Sequence, residues 1–287
     1  MPDIWGQVAI IIKLCLYLSV LTATGLVMVR VVFANQLGDT PLAIRKTTAV
    51  AAAIGLGAAG LAFAVRGAAL TGDASGITDP QILGILWQTP VGTVLSLRVI
   101  GLGLILIGLM TGQLGKWVAL AGTALVLWSF AQIGHLSGAV TGMKVLLVVH
   151  LAGVAFWIGV LSPLRRLASN PLYLSQAATL GHRFGQIATI VVPVLIGAGV
   201  FHAWKLTGSW ANLIGSAYGQ TLSAKIALVS LLLGLAAANK LRFVPQLAAG
   251  DTQAARHLSL SISVEWVAIV AILLATSIFT SILPVPT

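Results

Sequence analysis

Residues 143–164 read MKVLLVVHLAGVAFWIGVLSPL, and Lys144 and His150 are the only ionisable side chains in this apolar stretch. A helix needs roughly 20 predominantly apolar residues to cross the hydrocarbon core of a bilayer, which is about 30 Å thick. The stretch meets that requirement and ends in front of Arg165 and Arg166, which suit a membrane surface. We therefore predict a transmembrane helix here.

The composition of the whole chain extends this interpretation. Of 287 residues, 58% are hydrophobic and 8% are charged, and the mean hydropathy is +1.03. Soluble domains are about 45–50% apolar and about 25% charged, so a water-soluble globule is excluded. The net charge of +10 does not indicate nucleic-acid binding, because the basic residues are dispersed among hydrophobic stretches, where they set topology. The single cysteine, Cys15, excludes an internal disulfide framework.

Eight apolar stretches are separated by polar or basic residues, at about 6–29, 47–66, 91–111, 117–138, 143–164, 184–205, 219–239 and 259–283. Gly and Ala at helical spacing favour a packed helical bundle over a barrel. We predict an all-α polytopic membrane protein of eight transmembrane helices, forming one transmembrane domain over residues 1–287. Its halves span about 1–116 and 117–287. The first stretch is expected to be retained, because no basic region or cleavage site of a signal peptide precedes it.

The basic residues are distributed unevenly between the two sets of loops. One set holds Arg30, Arg45, Lys46, Lys116, Arg165, Arg166, Arg183, Lys240, Arg242 and Arg256. The other set holds fewer basic residues and the acids Asp3, Asp73 and Asp79. Because basic loops stay in the cytoplasm, we predict that both termini are periplasmic.

The two halves of the sequence show short similarities. Residues 92–98 (GTVLSLR) and 219–225 (GQTLSAK) share a Gly, a Leu, a Ser and a basic residue in one register. The tripeptide LTG occurs at 70–72 and 206–208, in a slightly different register. These similarities favour a parallel 4+4 repeat, an arrangement seen in some transporters. Chance similarity between apolar segments is the alternative.

Ionisable side chains inside a bilayer cost about 2.5–3.5 kcal/mol each on insertion scales, so each is a functional candidate. The candidates are Lys13, Arg98, His150, Lys225 and Glu265. Glu265 is expected about two turns from the cytoplasmic end of the last helix, where a cation from a neighbouring helix is one candidate partner.

Three histidines are predicted at similar depth beneath the outer surface: His135, His150 and His202. Neutral imidazole is a good ligand for copper and for haem iron. Met143 precedes His150 by two helical turns and lies on the same face, where its thioether suits Cu(I). We predict a metal site from these four residues. Hydrogen bonding of the histidines within the bundle is the alternative.

Motifs of other site chemistry are absent from the sequence. It contains no P-loop, no HExxH and no GxSxG, and it has no paired carboxylates at helical spacing. We therefore do not expect an enzyme of the hydrolase or kinase classes.

Several segments resemble the CopD family of bacterial copper-resistance membrane proteins. They are IGHLSG (133–138), VHLAGVAFWIGVL (149–161), HRFG (182–185), YGQTLSAK (218–225), ANK (238–240), SVE (263–265) and TSILP (280–284). The resemblance covers roughly residues 117 to 284 and is thinner before that. Gly185 departs from it, because a serine is usual after Arg-Phe.

The resemblance implies an eight-helix protein of the bacterial inner membrane that brings copper from the periplasm to the cytoplasm, often beside a periplasmic CopC-like copper-binding partner. His135 and His150 match the family's Gly-His and His-Leu-Ala positions, whereas His202 and Met143 enter only from depth and spacing.

Two further interpretations stay open at the level of sequence. The same histidines suit the axial ligation of haem b in a membrane oxidoreductase. A structural or assembly protein would use them only for hydrogen bonds between helices.

Overall fold

The computed structural model describes residues 4–37, 41–134, 138, 140–207 and 217–281. These residues contain ten α-helices and no β-strand. The helices are α1 (Ile4–Val32), α2 (Pro41–Thr71), α3 (Pro80–Trp87), α4 (Pro90–Met110), α5 (Gly115–Ser129), α6 (Thr141–Ala168), α7 (Leu174–Thr207), α8 (Ala217–Ala238), α9 (Val244–Ala248) and α10 (Thr252–Phe279).

Seven of the described helices are long and apolar enough to cross a membrane. They are α1, α2, α4, α6, α7, α8 continued through α9, and α10. An all-α, multi-pass membrane protein is therefore confirmed.

The predicted stretch 117–138 corresponds to α5, which has 15 residues. At 1.5 Å per residue it is about 22 Å long, short of the roughly 30 Å of a hydrocarbon core. The helix ends because the chain turns, with a bond from the Ala131 N–H to the Trp128 carbonyl and a positive φ of 87° at Gly134. Hydropathy does not detect this turn, because apolar residues such as Phe130 and Ile133 continue beyond the end of α5.

Helix α5 runs back along α4 through close backbone contacts. Gly108 meets Gly115 at one end of the pair, and Gly101 meets Gly122 further along. Residues 132 and 138, which follow α5, line one cavity with residues 88–90, where α4 begins. The chain thus returns to the level at which α4 begins.

The segment between α2 and α4 contains a 3-10 turn and a short helix. Asp73 caps a 3-10 turn over Ala74–Ile77, and hydrogen bonds from Ser75 hold the pKa of the Asp73 carboxyl below its usual range. Asp79 then caps α3, whose first residue is Pro80. A capping acid followed by proline is a strong start signal for a helix.

A π-helical segment, Asn239–Phe243, joins α8 to α9 without a break in the helix. Within it the Val244 N–H donates to the Asn239 carbonyl. Pro245 follows directly and has no N–H to donate to the carbonyl four residues earlier. The wider turn accommodates this proline, in keeping with the usual causes of helix irregularity.

Two hydrophobic clusters lie on opposite sides of α1. The first joins α1 with α2, α4 and α5 through side chains such as Val20 and Leu102. The second joins α1 with α6, the start of α7, α9 and α10 through side chains such as Leu26 and Leu161. Helix α1 therefore belongs to both halves of the core.

The ends of the bundle are defined by two contacts between distant parts of the chain. The Lys13 Nζ on α1 donates to the Thr280 carbonyl after α10. At the opposite end an Arg45 Nη at the start of α2 donates to the Leu109 carbonyl at the end of α4. We call the first the terminal end and the second, which carries most of the basic residues, the basic end.

Helices α1 and α6 approach each other at Gly25 and Gly159. A methyl group on Gly25 would overlap the Ala155 carbonyl, and one on Gly159 would overlap the Gly25 backbone. Small residues allow this kind of close helix packing in membranes. On α2, by comparison, no atom lies within 4 Å of the position that a Cβ on Gly57 would occupy.

Gly25→Leu is expected to destabilise the fold by more than about 3 kcal/mol, because the overlap involves backbone atoms that cannot move aside. Gly57→Leu, on an exposed helix face, is the matched control and should leave stability within about 0.5 kcal/mol. Thermal unfolding of the purified protein in detergent measures both. Equal melting temperatures for the two variants would contradict the close packing of α1 and α6 at Gly25.

Candidate metal site and buried polar centres

The predicted ligands Met143 and His150 both lie on α6, toward the terminal end. They are two helical turns apart and therefore on one face, separated by about 10 Å along the axis. Both residues are half-buried. His135 lies outside the described residues, and so does the side chain of His202.

The packing of α6 on α7 relates the depth of the His202 backbone to these ligands. Gly153 on α6 meets Leu195 on α7. From that level, a rise of 1.5 Å per residue puts His150 about 4 Å, His202 about 10 Å and Met143 about 15 Å toward the terminal end. The backbone of His202 is thus level with the interval between His150 and Met143.

Among the described residues, no group of three or more His, Cys, Asp or Glu side chains could hold a metal ion. The four-residue ligand set therefore remains a prediction.

A cavity of about 610 Å³ opens at the terminal end, between the start of α4 and the loop after α5. Its lining includes the polar residues Gln88, Thr89, Thr93 and Gln132, together with Pro90 and Gly138. The last two chain positions to line it, 132 and 138, flank the segment that contains His135. Polar side chains therefore line this cavity at the terminal end of the bundle.

A buried carboxylate lies between three helices in the second half of the chain. Glu265 on α10 is 1% exposed. The Trp157 indole N–H on α6 donates to its Oε2 at 3.0 Å, and the Asn239 side-chain amide donates to its Oε1 at 2.6 Å. These two neutral donors are the hydrogen-bond partners of Glu265 among the described residues.

The position of Glu265 differs from the sequence-based expectation in two respects. It lies halfway along α10, which runs from Thr252 to Phe279, and not two turns from the cytoplasmic end, because the helix begins several residues earlier than the apolar stretch. Its partners are Trp157 and Asn239, and not a cation. Trp157 and Asn239 both belong to segments that carry the family resemblance. This resemblance was the signal in the sequence that could have identified them as partners.

The π segment also contacts α7. The Lys240 ammonium donates to the Thr189 hydroxyl. A Cβ on Gly185 would lie 3.2 Å from the Lys240 Cγ. The glycine at this position, where a serine is usual in the resemblance, therefore leaves room for the lysine stem.

A second polar centre surrounds Arg98 on α4. This residue is 7% exposed, and its Nε donates to the Ser129 hydroxyl of α5 at 3.2 Å. Its guanidinium lies 4.9 Å from the centroid of the Phe130 ring. A cation that is desolvated in this way gains from the aromatic face. Arg98 therefore faces the bundle, whereas Lys225 at the matching repeat position is only half-buried.

Lys13 holds α1 to the end of α10. Its Nζ donates to the Thr280 carbonyl at 3.0 Å and to the Ser281 hydroxyl at 2.8 Å. A cation at the last carbonyls of a helix also interacts favourably with the helix dipole. Tyr17, one turn further along α1, packs on Phe130 and so links this contact to the Arg98 centre.

The fold and these centres define an all-helical, multi-pass membrane protein with ionisable groups inside its bundle. A family model for the N-terminal domain of copper resistance protein D-like proteins matches residues 1–144. A second model, described as copper resistance protein D, matches residues 178–279. The chain belongs to the copper resistance protein D family, including the first half, where the sequence motifs are sparse. No curated protein and no solved structure matches it.

Ser129→Ala is expected to destabilise the protein by about 1–3 kcal/mol, because the buried Arg98 loses its hydroxyl acceptor. Ser169→Ala is the matched control, since the Ser169 hydroxyl also donates to a backbone carbonyl of its own helix but is exposed and serves no cation. Melting temperatures in detergent compare the two. An equally small effect of both substitutions would show that Arg98 does not depend on Ser129.

Proposed function

We propose that this protein moves copper across the bacterial inner membrane, from the periplasm to the cytoplasm. The copper site lies on the periplasmic side and is formed by His135, His150, His202 and Met143. The observation that carries the proposal is the placement of His150 and Met143 on one face of α6, with the His202 backbone at an intermediate depth. Membership of the copper resistance protein D family supports copper as the metal.

The chemistry of this ligand set suits transport. Imidazole and thioether groups bind copper without the closed thiolate cage that retains an ion. Conduction requires binding that is strong enough to admit the ion and weak enough to release it. Two or three imidazoles with one thioether satisfy both conditions.

Eight crossings are the topology we infer. Helix α5 is too short by itself, but the chain after it lines the terminal-end cavity together with the residues in front of α4. Helix α5 and the following turn therefore return the chain over the length of α4. An even number of crossings agrees with the contact of Lys13 and Thr280 at one end.

The charge distribution supports the orientation of the bundle. The basic end is cytoplasmic under the positive-inside rule, which makes the terminal end and both termini periplasmic. The cavity at the terminal end then opens to the periplasm and serves as the entrance, where a CopC-like copper-binding protein would deliver the ion. The sequence has no methionine-rich or histidine-rich segment of its own outside the predicted spans.

A parallel 4+4 repeat gives the two halves a means of moving. Helix α1 packs on α2 and α5 as α6 packs on α7 and α10, and Gly25 meets Gly159 where the halves join. Because no side chains interlock at these glycines, one half could rotate against the other at this contact. Rocking of one half against the other would expose the copper site alternately to each side.

Axial ligation of haem b is the alternative role of the same histidines, and nothing in the described part of the chain favours it. The copper and haem hypotheses are distinguished by the absorption spectrum of the purified protein. A Soret band would support haem and contradict the proposal.

His150→Ala is expected to weaken Cu(I) binding by at least about tenfold, because one of the ligands is lost. His182→Ala is the matched control, since His182 is exposed, lies toward the basic end and, among the described residues, bonds Gln186 on its own helix. Titration with Cu(I) against a competing chelator measures both affinities. Unchanged affinity in His150→Ala would remove this histidine from the proposed site.

Copper import is tested in proteoliposomes that contain the purified protein. We expect Cu(I) supplied to the periplasmic face to accumulate inside, at a rate that His150→Ala lowers and His182→Ala retains. Cells that carry the gene should likewise accumulate more copper than cells that lack it. A lower copper content in the presence of the gene would indicate export and reverse the proposed direction.

A further inference from the structure

The copper site uses none of the groups around Glu265, although this is the one carboxylate buried in the membrane-spanning helices of the described chain. A buried charge is retained at substantial cost unless it is paired or hydrogen-bonded. Such residues in membrane proteins frequently mark proton or ion pathways.

Among the described residues, no cation forms an ion pair with Glu265 that would fix it in the ionised form. No described ion pair involves it, and its described partners are Trp157 and Asn239. The titratable side chains on the elements packed against α10 form no bond with Glu265. They are Lys13, Cys15, Tyr17 and Arg30 of α1, Lys144, His150, Arg165 and Arg166 of α6, Lys225 of α8, and Lys240 and Arg242 of the π segment.

The two partners differ in what they can do. The Trp157 indole is only a donor, so it keeps Oε2 as an acceptor in either protonation state. The Asn239 amide carries both a donor and an acceptor. Its Nδ2 donates to Oε1, and its buried Oδ1 accepts no hydrogen bond from the described residues.

This arrangement serves two protonation states of the same carboxyl group. With Glu265 ionised, the Asn239 Nδ2 donates to Oε1. With a proton on Oε1, a half-turn of the Asn239 amide brings Oδ1 into position to accept it. The Asn239 Nδ2 lies 2.6 Å from the Glu265 Oε1. An Asn239 Oδ1 in the same place would be within the usual range of an O–H···O bond.

The location of the pair connects it to the rest of the bundle. Trp157 continues the α6 face of Met143 and His150 at the same seven-residue spacing. Asn239 begins the π segment, whose Lys240 bonds Thr189 on α7. The hydrogen bonds of Glu265 and Lys240 thus connect α10 and the π segment to α6 and α7, the helices that carry Met143, His150 and His202.

We propose that Glu265 binds and releases one proton inside the bundle, with Asn239 as its switching partner, and that this exchange is coupled to copper movement. In the reaction a carboxylate takes up a proton from water to become a carboxylic acid, and later returns it to water. No other reactant is consumed. The coupling, but not the proton binding, rests on the proposed copper transport.

Glu265→Gln preserves the size of the side chain and resembles the protonated state, because its amide can accept from Trp157 and donate to Asn239. Asp251→Asn is the matched control on the same helix. Asp251 is exposed and caps the first turn of α10, and asparagine caps a helix equally well.

Infrared difference spectroscopy of the full protein in lipid, recorded as a function of pH, tests proton binding without copper. We expect a carboxylic acid C=O band that is lost in Glu265→Gln and retained in Asp251→Asn. Trp157→Phe should move this band to higher frequency, because the carbonyl oxygen loses its hydrogen bond. A band that persists in Glu265→Gln, or no band at all, would overturn the proposal.

Cu(I) uptake into proteoliposomes at a series of pH values tests the coupling. Wild-type uptake should change about tenfold per pH unit on one limb of the profile, as a single-proton requirement predicts, whereas uptake by Glu265→Gln should not vary with pH. Equal pH profiles would overturn the coupling. An absence of copper uptake in the wild type would refute the proposed function and the coupling together, and the infrared band would still decide whether Glu265 binds the proton.

Discussion

The backbone contact between α1 and α6 determines how the rest of the molecule is arranged. Gly25 and Gly159 bring the two helices closer than any side chain would allow. One face of α1 is then free for α2, α4 and α5, and another faces α6 and α10, so that the two hydrophobic clusters share one helix. Apolar side chains alone do not hold helices together in lipid, which is as apolar as they are. Close packing at glycine is therefore the interaction on which the junction of the halves depends.

The scarcity of acids explains the polar centres. The chain has 16 basic and 6 acidic residues, so its buried charges are accommodated mainly by neutral groups. Arg98 uses a hydroxyl and an aromatic ring, Lys13 uses one carbonyl and one hydroxyl after α10, and Glu265 uses an indole and an amide. Neutral partners stabilise a charge without cancelling it.

Hydropathy and motifs predicted the class of fold, the family and most of the spans, because crossing a bilayer imposes a length that is readable from composition. They did not predict the length of α5, since the turn at Gly134 lies within apolar sequence. They identified Glu265 but not its partners, because Trp157 and Asn239 are far from it along the chain and face it only after α6 and α8 pack. The ligand set was predicted from depth, helical spacing and the family resemblance of His135 and His150, and none of these determines the direction of a side chain.

The extra residue in the π turn also changes which neighbours one continuous helix meets. An added residue rotates all that follows by about 100° relative to an uninterrupted α-helix. Before the π turn α8 packs on α10, and after it Val244 packs against Gly181 of α7. The π turn before Pro245 thus rotates the helix, so that α8 and α9 pack on different neighbours, α10 and α7. Deleting one amino acid in the π turn would shorten the helix by only about 1.5 Å, but it would turn α9 away from α7.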